Sequence, residues 1–343
     1  VAQHAAVSET VDLVRANSGP GAASFANAVM RQVTRADVEE WDRRLAERTE
    51  DPTELLGKRL AHPAWIVRAM RESLALDGGT APGSRESELV ARREADNVAP
   101  AVTLVARPGL VGDSELNRAL EDGTITPGAL APTAWRLSGG SPDTLPAVRH
   151  GRMGVQDEGS QLVALALAAV TVTGTDSLWA DMCAGPGGKS ALLGAVLAQR
   201  ADECSCELSE SAQDASVRGE NSAAPESSAT SAHDSGRPED GASLLVAGEL
   251  QAHRVGLVER SVKALPDGVV DVVQWDGREV GAQHPDHFDR VLVDAPCTGL
   301  GALRRRPEAR WRRTPADLKA LALLQRDLLI SAIEATRPGG VVG

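Results

Sequence analysis

The sequence contains no tyrosine and only two phenylalanines, Phe25 and Phe288. That scarcity argues against a broad aromatic platform for stacking nucleic-acid bases. Only four cysteines occur, at 183, 204, 206 and 297, with no Cys-x-x-Cys pair and no histidine at zinc spacing. No metal site is expected from that pattern, and reduced cysteines fit the cytoplasm. No apolar run approaches the roughly 18 residues of a membrane span, so no membrane partner is expected. The start, Val1-Ala-Gln-His, lacks a basic end leading into an apolar stretch, and it lacks an initiator methionine. The chain is therefore expected to be part of a longer protein.

Positive charge is also in deficit, at a net −12 over 343 residues. The deficit is local. Residues 201–242 hold ten Asp or Glu against two Arg, which accounts for −8 and leaves the body near −4. Nine serines and few large apolar residues make this segment an expected disordered acidic insert. Global charge therefore does not exclude a nucleic-acid partner. The length has room for two or three domains, each with a core.

Residues 1–48 read as helix with a Gly-Pro-Gly break at 19–21, and 53–77 as a further helical stretch. A strand is expected within 99–106, and an α+β pattern continues to about 150. From 151 onward helices and strands alternate. A helix over 161–170 precedes a short strand at 178–181, a glycine-rich turn and a helix over 189–199. After the insert come strand 243–247, helix 251–264, strands 269–275 and 290–294, and a long helix over 317–336. Another strand begins at Pro338-Gly-Gly-Val-Val. Strands separated by helices imply an α/β, doubly wound parallel sheet.

Asp181-Met-Cys183-Ala184-Gly185-Pro186-Gly187-Gly188-Lys189 ends a strand and opens a helix. Its glycines let backbone approach a ligand closely, and the helix start offers unpaired N–H donors. The spacing is not G-x-G-x-x-G, which disfavours a nicotinamide cofactor. Glu249 ends the next strand, where an acid can take both ribose hydroxyls, and Asp276 ends the one after, where it could accept from an adenine amino group. Each acid alone is equally a solvated strand end. Three successive strand ends with suitable groups favour S-adenosylmethionine.

Asp294-Ala-Pro-Cys297 follows the strand 290–294 and precedes Arg304, Arg305, Arg306, Arg310, Arg312 and Arg313, six arginines in ten residues. Such a cluster reads by default as a solvated face. This density also suits phosphate contacts that position an RNA without specifying it. Carbon 5 of cytosine is a poor nucleophile until a thiolate adds at carbon 6. On spacing alone Cys297 would be that nucleophile, with Asp294 at the cytosine edge, and the plain alternative is a small buried strand-end cysteine.

These motifs resemble the RsmB/Sun/Nop family of RNA cytosine-5 methyltransferases. The likeness rests on 181–189, Glu249, Asp276-Gly-Arg278 and 294–311, with Val155-Gln-Asp157-Glu-Gly-Ser160 leading into the catalytic domain. His62-Pro-Ala-Trp65 and Ala95-Asp-Asn97 resemble the family's RNA-binding lead-in, and residues 8–33 the last helices of a NusB-like domain. The resemblance implies a partial all-α NusB-like domain over 1–48, an α+β RNA-binding domain over 49–150 and a Rossmann-like methyltransferase domain over 151–343. It further implies S-adenosylmethionine held by residues 183–189, Glu249, Asp276 and Asp294, and 16S ribosomal RNA as partner of a monomer. Glu249 stands where the family usually has Asp. In these RNA enzymes a Thr-Cys just after Pro-Gly-Gly attacks, while the Pro-Cys thiol assists product release. Cys297 is then the release residue, and the attacking thiol is expected beyond residue 343, leaving the chain as it stands inactive. A catalytically silent RNA-binding or assembly factor, and a small-molecule methyltransferase, are the competing readings.

Overall fold

The computed structural model describes residues 3–76, 82–217 and 243–343, which fall into two compact units. One comprises Val1–Ala99 with Gly299–Pro315, and the other Pro100–Thr298 with Ala316–Gly343. These divisions do not follow the breaks at 48/49 and 150/151 expected from the sequence.

The first unit is helical. Helix Gln3–Val33 is interrupted at Gly19, whose φ of +83° falls at the Gly-Pro-Gly break. Val38–Glu47 and Pro52–Arg59 follow, capped by Asp37 accepting from Glu40 N–H and Asp51 accepting from Thr53 N–H. The helical stretch expected over 53–77 consists of two helices, Pro52–Arg59 and Ala64–Leu76. They part at Ala61, with φ +56°, and His62-Pro63. With helix Pro82–Ala95 they bury Val67, Leu74 and Leu89.

The second unit holds two sheets. Strands β1 (Thr103–Ala106), β2 (Ile125–Pro127), β3 (Ala134–Leu137) and β4 (Met153–Val155) form an antiparallel sheet of order β2-β3-β1-β4. Strands β5 (Leu178–Asp181), β6 (Leu244–Glu249), β7 (Val270–Gln274), β8 (Phe288–Leu292) and β9 (Thr336–Val342) form a parallel sheet of order β7-β6-β5-β8-β9. The sheet is wound both ways from β5, so its order reverses between β5 and β8. Open α/β sheets bind ligands at the carboxyl ends of strands at such a reversal. The antiparallel sheet belongs with this unit because Gln161, on helix Glu158–Ala169, donates to Leu104 O at 3.2 Å and Gln156 O at 3.0 Å. Val105 enters the same core as Trp179, Leu192 and Leu245.

One expectation is corrected. Helix Gly188–Val217 runs well beyond 199, so the first part of the segment expected to be disordered is helical. Extending an existing helix avoids the cost of nucleating one. Residues 218–242 lie outside the described residues.

Candidate functional site

The glycine turn follows β5 directly. Asp181 is buried, accepting Ser190 Oγ–H at 2.7 Å and Cys183 N–H at 3.3 Å. Burial pushes its carboxyl up to about 6, against the lowering pull of Ser190 and the Cys183 amide. A Cβ at Gly185 would lie 2.1 Å from Glu249 Oε2, and one at Gly187, where φ is +102°, 2.6 Å from Ser261 Cβ and 2.9 Å from Val258 Cα. The turn thus has no room for side chains on its inner side. Ser261 Oγ donates to Pro186 O at 2.8 Å and Arg254 Nη2 to Gly185 O at 2.7 Å, which fixes the turn on helix Ala252–Val262.

The expected acids stand at neighbouring strand ends. Glu249 closes β6, buried, accepting from Gln251 N–H at 3.0 Å and 3.5 Å from Arg254. Asp276 lies two residues past β7, with both carboxylate oxygens taken by Arg278, whose hydrogen bonds hold Asp276 below the usual carboxylate range. Asp294, two residues past β8, accepts from Lys189 Nζ at 2.5 Å, joining the turn to the Asp-Ala-Pro-Cys segment. The Pro296 carbonyl accepts from Gln325 Nε2 at 2.9 Å. Cys183 and Cys297 differ in setting. Burial, with Asp181, Glu249 and Asp294 adding negative charge, pushes the Cys183 thiol up to about 12, and Cys297 is exposed. Burial thus favours the neutral thiol at Cys183 and disfavours a thiolate nucleophile there.

The arginines do not act as one face. Arg304, Arg305, Arg306 and Arg312 are exposed and Arg313 is half-buried. Arg310, expected to contact RNA, is only 3% exposed. It donates to Ala61 O at 3.1 Å, Asn97 Oδ1 at 2.7 Å and Asp96 O at 2.7 Å. Its charge is spent inside the helical unit, so it is removed from the candidate phosphate contacts. All six arginines belong to that unit, whereas Asp294 and Cys297 belong to the unit of the sheets.

Residues 221–342 match the family described as 16S rRNA methyltransferase RsmB/F, and residues 1–35 match the NusB family. A Mycobacterium tuberculosis protein described as a methyltransferase, Rv1407, is 42% identical over 340 residues, covering 99% of this chain. A Bacillus subtilis protein named ribosomal RNA small subunit methyltransferase B is 26% identical over 345 residues. The chain is therefore similar to the RsmB/F methyltransferases, over residues 221–342 in particular. It spans 62% of the length of the mycobacterial relative and 64% of the Bacillus one. In fold it is similar to the solved structure of PH0851, with TM-score 0.67, 19% identity and coverage of 97% of this chain and 61% of that one. It is also similar to NSun6 from Pyrococcus horikoshii solved with SFG, with TM-score 0.54, 16% identity and coverage of 80% and 81%.

Several residues that shape the turn carry no motif signal. Arg254 and Ser261 hold the turn from outside it. Arg107, at the end of β1, donates to Ser261 O at 2.7 Å and to Gly151 O. Burial lowers it to about 10, and it braces the antiparallel sheet against the helix under the turn. Gly248 is forced by Trp275, whose indole would lie 1.5 Å from a Cβ there. The only sequence hint for these contacts is the helical spacing that puts Arg254, Val258 and Ser261 on one face of their helix. Among the described residues no group of three or more His, Cys, Asp or Glu could hold a metal, and no helix is long and apolar enough to cross a membrane.

Proposed function

We propose that this chain is the cofactor-binding and RNA-binding part of an S-adenosylmethionine-dependent methyltransferase that forms 5-methylcytosine in 16S ribosomal RNA in the cytoplasm. The observation that carries the reading is that a tightly packed glycine turn follows β5, next to the β5/β8 reversal, with acids at the ends of β6, β7 and β8. The names of the relatives support the RNA substrate.

The residues fit the cofactor. Gly187 lets the turn pack directly on helix Ala252–Val262, Gly185 lets Glu249 and Arg254 close against it, and Glu249 offers a buried carboxylate suited to paired ribose hydroxyls. Residues 183–189, Glu249, Asp276 and Asp294 would hold it. Asp276 would share its carboxylate between Arg278 and an adenine amino group. When bound, the cofactor supplies an electrophilic methyl group. A thiolate adding at carbon 6 of cytosine gives carbon 5 its nucleophilic character, and after methylation the carbon-5 proton leaves and the thiolate is expelled. By the family resemblance a Thr-Cys thiol attacks and Cys297 assists the expulsion. Lys189 holds Asp294 in place at the lip of that site.

The test is mass mapping of small-subunit RNA methylated by protein expressed from the gene, wild type against Cys297→Ala. Accumulation of a covalent protein–RNA adduct in the variant is expected. Loss of the adduct would return the attack to Cys297, and the absence of any methylated cytosine with wild-type protein would leave an RNA-binding factor without catalysis.

A further inference from the structure

Trp311 is 66% exposed, beside a residue, Arg310, that is 3% exposed. The contrast has a geometric cause. Both lie on the short helix Ala309–Arg312, where successive side chains point about 100° apart, so burying Arg310 turns Trp311 outward. The segment is fixed at two points. Leu303 is fully buried, and Arg310 is held by Ala61 O, Asp96 O and Asn97 Oδ1. Arg304, Arg305 and Arg306 are exposed between those anchors, and Arg312 just after them.

The second anchor is a buried polar cluster. Arg93 Nη1 lies 2.9 Å and His62 Nε2 3.4 Å from Asp96 Oδ2, while Arg310 binds the Asp96 carbonyl. Burial lowers the His62 pKa, with the charges of Arg310 and Arg93 acting in the same direction. Asp96 is thus shared among cations from helix Pro82–Ala95 and from the 299–315 segment, which anchors the stretch carrying the exposed arginines and Trp311.

We propose that this segment is a docking surface for an unpaired stretch of RNA, with Arg306, Arg312 and their neighbours on successive phosphates and one base stacked on Trp311. The proposal rests on the reading that the protein acts on RNA and names the form of RNA this surface takes. Exposed guanidinium groups answer to any polyanion. The indole decides between forms, because duplex RNA hides its base faces within the helix, whereas an unpaired strand offers one at each nucleotide. A single exposed ring beside a phosphate track seats one base, so this is a local anchor.

The experiment measures binding of the whole chain to a short labelled oligoribonucleotide without secondary structure and to a hairpin duplex, each over a range of salt. Trp311→Ala is expected to weaken the single strand about tenfold, leaving the duplex and the salt slope unchanged. Trp311→Phe is expected to retain most of the affinity. Arg306→Ala is expected to weaken both RNAs and reduce the salt slope by about one. Equal binding by Trp311→Ala and wild type, or equal loss on both RNAs, overturns the stacking role while leaving RNA recognition standing. If Trp311→Ala melts lower, a Trp311→Phe variant that melts normally yet binds as poorly also overturns it. Failure of the wild type to bind either RNA would overturn the underlying reading as well.

Discussion

The turn at 181–189 and the stretch at 294–313 carry the family resemblance between them, and they are built in opposite ways. The turn is specified from all sides by one packed unit, with Asp181 buried, Cys183 a neutral thiol and no space for a Cβ at Gly185 or Gly187. The second stretch is one motif in sequence and two objects in space. Residues 294–298 belong with the sheets, while 299–315 pack with the N-terminal helices. Gly299 and Gly301 have nothing within 4 Å of where a Cβ would stand. A contiguous motif can therefore combine a strand-end lip with an arm of another unit, and the environment of each glycine tells the two apart.

The sharpest way to break this contrast is a pair of alanines. Gly187→Ala combines a left-handed backbone with unyielding contacts to Val258 Cα and Ser261 Cβ. Its expected cost is about 2–5 kcal/mol of stability, with loss of S-adenosylmethionine binding. Gly299→Ala has a left-handed φ of +75° but open space, and should cost about 1 kcal/mol with cofactor binding intact. Urea unfolding and calorimetry read both. Equal costs would mean that the turn is no more constrained than the arm.

Next in size is the pH response of Asp181. Its folded pKa of about 6 lies above the ordinary 3.8, because burial disfavours the charged form. The native state therefore keeps a proton that the unfolded chain gives up, and stability falls as pH rises through that window. Two units correspond to about 3 kcal/mol. Relative to Asp181→Asn, the wild type should lose about that much between pH ~4 and pH ~7. A constant difference between the two proteins across that range would rule out the buried, protonated carboxyl. No comparable response is expected from the exposed arginines of the arm.

Much of the turn was legible in the sequence because its determinants are local. A strand, three glycines and a helix start within a dozen residues dictate the backbone, and acids at successive strand ends follow from the alternation of strand and helix. Arg310 shows why the arm was not. Its partners Ala61 and Asn97 are 249 and 213 residues away, and nothing in Arg-Arg-Arg-Pro-Glu-Ala-Arg-Trp separates the buried guanidinium from its exposed neighbours. The extension of the helix to Val217 was missed for a different reason. Acidic, serine-rich composition signalled disorder, while the adjoining helix supplied the nucleus that such a segment lacks alone.

Arg310 also gives the third prediction. Arg310→Met leaves the Ala61 and Asp96 carbonyls and the Asn97 amide oxygen without their donor, at an expected cost of about 2 kcal/mol. Arg306→Ala should fall within about 0.5 kcal/mol of wild type. Thermal unfolding followed by circular dichroism separates the two. If both variants were neutral, the arm would not depend on its buried anchor.

The smallest perturbation compares the two cysteines without changing a residue. Cys183, pushed up to about 12, is almost wholly protonated at pH ~8, since four units above ambient leave about one thiolate in ten thousand. Its partial burial further limits access to a reagent. Cys297 is exposed at the lip of the second stretch. Brief treatment with iodoacetamide should therefore alkylate Cys297 at least tenfold faster than Cys183, as read by mass mapping of their separate peptides. Raising the pH toward 10 should raise the Cys183 rate about tenfold per unit, still far from its plateau, because the thiolate fraction is growing exponentially there. Comparable rates for the two thiols at neutral pH would mean that Cys183 is ionised. The turn would then hold a second nucleophile, and assigning the thiol chemistry to the Pro-Cys side of the site would lose its physical basis.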